Sequence, residues 1–358
     1  MATVLKGIEE VLAELPQTEL GKSAEILFLG LRSRDLIFAL EQKLEALGVS
    51  QHKSLILAPQ ATSLKGWQKV ARGDSVELKT LPEILAMEGE KFDWAVVMPS
   101  KDRDLTNAWA DSALSQLKVG GFLLLAGDKR EGIEPLEKRV KAKTEMLARQ
   151  AVRSLGRVSL YKKTSATPQP KLEELWNGFE VELGSLRLPI KTLPGVFGKK
   201  GFDEGTRLLL NAIETHPGER VLDLACGAGT VGLTLLKKEP SLRLTFSDDD
   251  ATSIACVGEN AKALGLAAEK IVCADGMEAL KDEKFDLICL NPPFHSGQGV
   301  NYVIAERLCK EASRALNPNG RFYMVANAQC PYEEFLSKFW NTVEPLHKDK
   351  HFKVWKCS

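Results

Sequence analysis

The residues of this sequence best suited to chemistry are Asn291-Pro292-Pro293-Phe294. Proline restrains Asn291 towards an extended conformation, and neither Pro292 nor Pro293 carries an N–H, so the turn presents carbonyl oxygens and one amide side chain. An exocyclic amine on a base, or a primary amide, is a poor nucleophile because its lone pair is delocalised. Two acceptors, the Asn291 side-chain oxygen and the Pro292 carbonyl, can hold both its hydrogens and aim the lone pair at an electrophile. Phe294 can stack on the flat ring carrying that amine. The plain alternative is a rigid loop with no chemical role.

The elements around the tetrapeptide favour chemistry. It closes the apolar run Phe285 to Leu290, which reads as a buried parallel strand, and open α/β sheets place their ligands at the carboxyl ends of such strands. Upstream, Val221-Leu222-Asp223-Leu224 runs into Ala225-Cys226-Gly227-Ala228-Gly229 and then into a stretch of helical character. Strand, glycine-rich turn and helix together let a nucleotide-like ligand approach the backbone at a helix N-terminus. Nineteen residues after Gly229, a strand from Leu242 to Ser247 ends at Asp248, whose carboxylate can accept both hydroxyls of a ribose. A third strand, Ile271 to Ala274, ends at Asp275, which can accept from an adenine amine.

In this order, these strand ends resemble the class I S-adenosylmethionine-dependent methyltransferases of the amino-methylating branch. The form Asn291-Pro292-Pro293-Phe294-His295 is most similar to that of the ribosomal RNA guanine-N2 methyltransferases, the small-subunit enzymes first and the large-subunit ones as the near alternative. The resemblance covers Leu193-Pro194-Gly195-Val196-Phe197 through Leu208-Leu209-Leu210 and extends to Val325-Ala326-Asn327 and Phe352-Lys353-Val354. It implies that the loop from Asp223 through Ala225 and Gly227 to Gly229 cradles the methionine part of the cofactor, that Asp248 holds its ribose and that Asp275 faces its adenine. It also implies that Asn291, Pro292, Pro293 and Phe294 hold the target base, with Asn291 bordering the cofactor as well. Ala225 is a departure, because relatives carry a glycine there; with Gly227 and Gly229 retained, the loop is still expected to function. His295 is a candidate for the base or a phosphate, and an exposed loop histidine is the alternative. Lys199 and Lys200 lie in a segment from Phe197 to Asp203 whose glycines suit a flexible cover, and they are candidates for phosphate contact; an ordinary surface loop is the alternative.

The first half of the chain repeats this plan. Lys91 to Ser100 aligns without a gap with Lys284 to Pro293, and Leu117 to Phe122 recurs as Leu316 to Phe322. Strand patterns at residues 24–30, 54–58 and 76–78 alternate with helical ones, as in a parallel sheet. The chemistry is missing from this copy: Met98 stands where the second has Asn291, and Phe28 where it has Asp223. The expected fold is therefore α/β, two tandem Rossmann-like methyltransferase domains. Residues 1–165 form a degenerate copy kept for scaffolding or for holding RNA, 166–179 form a polar, proline-bearing linker, and 180–358 form the catalytic domain.

The chain has 358 residues, 44% apolar and 27% charged, and a net charge of zero, so any pull on nucleic acid must be local. Residues 129–200 hold 16 Lys or Arg against 8 Asp or Glu; Lys138, Arg139, Lys141, Lys143, Lys162 and Lys163 are candidates for phosphate contact, with a solvated charged face as the alternative. The seven cysteines show no CxxC pair or Cys/His cluster, so they are expected to be reduced and no metal is expected. No signal-peptide or membrane-span pattern occurs, and a cytoplasmic monomer is expected. The resemblance implies methyl transfer to a guanine amine in ribosomal RNA or a ribosomal subunit. The alternatives are another base amine, a release-factor glutamine, or a non-catalytic RNA-binding assembly protein.

Overall fold

The structure, a computed structural model, describes residues 2–14, 23–30, 42, 44–46, 51–57, 76–152, 156–198, 201–292 and 302–358. The described residues fall into two compact units, one ending at Leu175 and the other starting at Trp176. Among them, the first unit holds strands β1 (Ser23–Leu29), β2 (Gln51–Leu57), β3 (Val76–Lys79), β4 (Phe92–Val97), β5 (Leu117–Asp128), β6 (Thr144–Val152) and β7 (Gly156–Lys163). The second opens with a hairpin, β8 (Asn177–Leu183) and β9 (Leu186–Thr192). It continues with β10 (Arg220–Leu224), β11 (Arg243–Asp248), β12 (Lys270–Cys273), β13 (Phe285–Leu290), β14 (Leu316–Asn327), β15 (Val343–Lys348) and β16 (Phe352–Cys357).

The two large sheets have the same topology. Their strand orders are β3-β2-β1-β4-β5-β7-β6 and β12-β11-β10-β13-β14-β16-β15, so the duplication read from two short segments extends across each sheet. In both, the order reverses beside the first strand, between β1 and β4 and between β10 and β13. The last two strands run antiparallel to their neighbours. Even the irregularities recur: the pairing of β4 with β5 shifts between Phe92 and Trp94, and that of β13 with β14 between Phe285 and Leu287. The extra residues are taken up at Gly120 (φ +85°) and Asn319 (φ +65°), residue types that tolerate the left-handed region.

One carboxylate closes the amino end of each sheet. Asp93 accepts from the backbone N–H of Glu25 at 2.9 Å and from Lys118 Nζ at 2.8 Å. Its counterpart Asp286 accepts from the N–H of Arg220 at 2.9 Å and from Asn317 Nδ2 at 2.7 Å. Each accepts a backbone N–H near the amino end of a central strand, that of Glu25 in β1 and that of Arg220 in β10.

The central strands are apolar because helices cover both faces of a parallel sheet. Leu222, Leu224, Ile288 and Leu290 are all within 1% of complete burial, and each contributes about 1.5–3 kcal/mol relative to exposure. In the first unit Phe28 occupies the core position that corresponds to Asp223: Phe28 pairs with Val96 and Asp223 with Cys289 in equivalent registers. Gly30, the counterpart of Ala225, sits under Trp109, where an added Cβ would lie 2.5 Å from the ring. An indole therefore packs onto the turn at the end of β1.

Several boundaries differ from the sequence reading. Lys162 and Lys163 belong to β7, helix Leu172–Leu175 lies within the expected linker, and Asn177 already begins β8. Lys163 is corrected as a phosphate contact, because its side chain is fully buried and donates to Glu90 Oε1 at 2.8 Å and to the Leu117 carbonyl. Arg139 pairs with Asp111. One of the helical patterns between the strands of the first unit, at about residues 33–47, lies largely outside the described residues.

Asp286→Ala is expected to strand the Arg220 N–H and the Asn317 amide and to cost about 1–3 kcal/mol, read as a lower midpoint of denaturant unfolding of the second unit.

Candidate active site

Parallel pairing brings four strand ends to one edge of the second sheet. Leu224 pairs with Leu290, so the turn that begins at Ala225 and the corner that begins at Asn291 leave adjacent strands side by side. Asp248 ends β11 on the other side of β10, and Asp275 follows β12 beyond it. This edge is the switch point at which open α/β sheets bind ligands.

The loop after β10 is held open by its own backbone. Ala225, Gly227 and Gly229 have φ of +55°, +55° and +80°. For Ala225 this is the left-handed region, which costs an L-residue about 1–2 kcal/mol; the alanine holds a conformation that glycine adopts without that cost. Gly229 caps helix Thr230–Lys238. A Cβ on Gly227 would meet nothing nearer than Phe197 Cβ at 3.9 Å, so the space over the loop is open to a ligand. The Phe197 side chain is 58% exposed at this point.

Two carboxylates tie the loop to the sheet. Asp248 accepts the N–H of Gly227 through Oδ2 and that of Asp250 through Oδ1, both at 2.8 Å. Each carboxylate oxygen keeps a further lone pair, enough for two ribose hydroxyls. Asp223, 3% exposed, accepts the N–H of Gly232 at 2.8 Å in the first turn of the helix. Burial pushes the Asp223 carboxyl up to about 8 and the Asp248 carboxyl up to about 6, because desolvation penalises the charged form. The open loop, the half-buried ribose-type carboxylate and the helix N-terminus fit S-adenosylmethionine.

Asn291 is held by its neighbours. Its Nδ2 donates to Thr206 Oγ1 at 3.0 Å, and Thr206 lies in the first turn of helix Glu204–Ala212, capped by Asp203. Pro292 is buried beside it. Asp275 forms an ion pair with Arg307, which also pairs with Glu311 at 3.0 Å; Glu311 in turn accepts the N–H of Met277 at 3.0 Å. Pro293, Phe294, His295, Lys199 and Lys200 lie outside the described residues.

Sequence reasoning missed Thr206, Arg307 and Asn260. Asn260, 1% exposed, accepts from Lys191 N at 2.8 Å and donates to the carbonyls of Lys191 and Ala228 at 2.8 and 3.1 Å, stapling β9 to the cofactor loop. A polar residue on the apolar face of helix Ala251–Leu264 was its only signal; for Arg307 it was the four-residue spacing from Glu311. All seven cysteines are free, and six are buried. Among the described residues no His/Cys/Asp/Glu cluster could hold a metal, and no helix is long and apolar enough to cross a membrane.

Comparison with known proteins agrees with this geometry. The family described as Methyltransferase small domain matches residues 187–356, and Methyltransferase small domain N-terminal matches 22–179. Ribosomal RNA small subunit methyltransferase C of Pectobacterium atrosepticum is 30% identical over 343 residues, covering 94% of this chain and 91% of that protein. The chain belongs to the ribosomal RNA small subunit methyltransferase C family. A second member, from Pseudomonas putida, is 34% identical over 269 residues, covering 75% of this chain and 79% of its own length. The T. thermophilus 16S rRNA N2 G1207 methyltransferase, solved in complex with AdoMet and guanosine, shares the two-domain family fold. Its TM-score is 0.77 at 23% identity, over 98% of this chain and 91% of that one.

Two outcomes follow for the loop. Because the folded state holds the Asp223 proton more tightly than the unfolded chain, stability of the ligand-free protein should fall as pH rises from about 4 to about 8; Asp223→Asn should flatten that slope in thermal melts taken across pH. Gly232→Ala would place a Cβ 2.4 Å from the Phe246 ring and 3.1 Å from Asp223 Oδ2. It should cost about 1–3 kcal/mol in unfolding and weaken S-adenosylhomocysteine binding in calorimetry.

Proposed function

We propose that this chain transfers a methyl group from S-adenosylmethionine to the exocyclic amine of a guanine in small-subunit ribosomal RNA. The observation that carries the reading is the acceptor corner at Asn291, beside the glycine-rich loop on adjacent strands, in a chain whose relatives are named as small-subunit ribosomal RNA methyltransferases. The cofactor supplies a methyl group on a sulfonium that is already a strong electrophile. The protein's work is therefore positioning.

Asn291 Oδ1 accepts one hydrogen of the amine and turns its lone pair towards the cofactor loop, with the Pro292 carbonyl as the second acceptor. Asp223, Ala225, Gly227 and Gly229 shape the methionine end of the cofactor site, Asp248 holds the ribose, and the Asp275–Arg307 pair borders the adenine. Phe294, with Pro293 and His295, holds the base, which must be unpaired or flipped out because a paired guanine hides this amine in the minor groove. Lys199 and Lys200 reach phosphate. The first unit, with Phe28 and Met98 in place of the two key polar groups, acts as scaffold or RNA holder. In this reading the enzyme works as a cytoplasmic monomer without a metal.

The test is transfer of labelled methyl to unmethylated small subunits, large subunits and their free RNAs, followed by nucleoside analysis; methylguanosine from the small subunit is the expected product. Asn291→Ala should lower kcat by about 100-fold or more while leaving S-adenosylhomocysteine affinity within about threefold of the parent. Equal loss of both would remove Asn291 from the reacting amine.

A further inference from the structure

The hydroxyl of Thr206 has one hydrogen and two neighbours that could claim it. Thr206 lies three residues after Asp203, the cap of helix Glu204–Ala212, and its backbone N–H donates to Asp203 Oδ2 at 2.8 Å. Its Oγ1 stands 3.1 Å from that same Oδ2 and 3.0 Å from the Asn291 side-chain amide, 85 residues away in sequence. A carboxylate only accepts, so the hydroxyl hydrogen goes to Asp203. The oxygen facing Asn291 is then a lone pair, which takes an N–H. The network thus identifies which end of the amide is which: nitrogen towards Thr206, oxygen on the opposite side.

We infer that Thr206 and Asp203 are positioning residues that fix the orientation of the Asn291 amide, so that Oδ1, and not Nδ2, meets the substrate amine. A flipped amide would present a donor to a donor. The hydrogen bonds of this relay lie between 2.8 and 3.1 Å, and Thr206 at its centre is 4% exposed, which limits competition from water. A threonine serving only the helix start would need no partner beyond the cap; here its hydroxyl spans from the segment before β10 to the corner after β13. The inference rests on the proposed methyl transfer for its meaning and on the hydrogen bonds alone for its geometry.

Thr206→Val keeps the shape and removes the hydroxyl. The expected result is a fall in kcat of about 10- to 100-fold, with S-adenosylhomocysteine affinity within about threefold of the parent. Guanosine binding to the S-adenosylhomocysteine complex should weaken in calorimetry, and Thr206→Ser should rescue both readouts. In an Asn291→Ala background, Thr206→Val should cost nothing further, because the group it orients is gone. Parent-like kcat for Thr206→Val, or a loss that multiplies with Asn291→Ala, would overturn the relay. If Thr206→Val does not bind S-adenosylhomocysteine, Thr206→Ala is compared with Thr206→Ser: equal loss of cofactor binding and turnover makes Thr206 a helix cap alone and also overturns it. Should the parent transfer no methyl at all, the proposed reaction fails, and the guanosine-binding arm still decides the orientation.

Discussion

The site depends on one backbone pairing, that of β10 with β13 in parallel register. With Leu224 opposite Leu290, the chain leaves both strands at the same height and in the same direction. A glycine-rich turn and an acceptor corner, separated by some sixty residues of sequence, then emerge at neighbouring strand spacings of about 5 Å. The next strand on the other side of β10 brings Asp248 to the same edge. Buried side chains on both faces hold this register, since a slip of one residue would exchange the two faces, break their packing and turn Asp223 to the opposite side.

The first unit shows the same frame without the chemistry. Strand order, the shift in pairing and the carboxylate that caps the sheet's amino end are repeated, and these are what the backbone needs. At the switch-point edge the two differ: the first unit has a phenylalanine in place of the buried aspartate, and a tryptophan packed onto the turn. Burying a carboxylate is costly unless it is hydrogen-bonded, so once a cofactor no longer calls for it, an apolar side chain at that position stabilises the core.

At the second edge the balance is reversed. Asp223 remains buried although its charged form is disfavoured there, and Ala225 remains in a left-handed conformation although a glycine would suit it better. Both are local costs sustained by a well-packed sheet, which is how functional sites commonly hold strain. The Asp203–Thr206–Asn291 relay belongs to the same edge: it draws the segment before β10 onto the corner after β13.

Much of this was determined by the sequence alone. Short apolar runs closed by Gly, Asp or Asn-Pro-Pro report strands and their ends through local sterics, and the matched segments at Lys91 and Lys284 report the duplication. The strands β6 and β15 were not legible, because exposed edge strands carry polar residues without a clear two-residue alternation; β7 is an interior strand, but its buried stretch Val158 to Tyr161 is short and runs straight into Lys162 and Lys163, which read as linker. Lys163 read as a surface cation, yet lies fully buried against Glu90, since charge in sequence says nothing of the partner that neutralises it. Thr206 left no signal, and Asn260 and Arg307 only faint ones, for the same reason: each acts through a hydrogen bond or ion pair to a residue more than thirty positions away. Local sequence sets backbone conformation and therefore where the reactive groups can emerge; the orientation of those groups is a directional, long-range property, and only the packed sheet decides it.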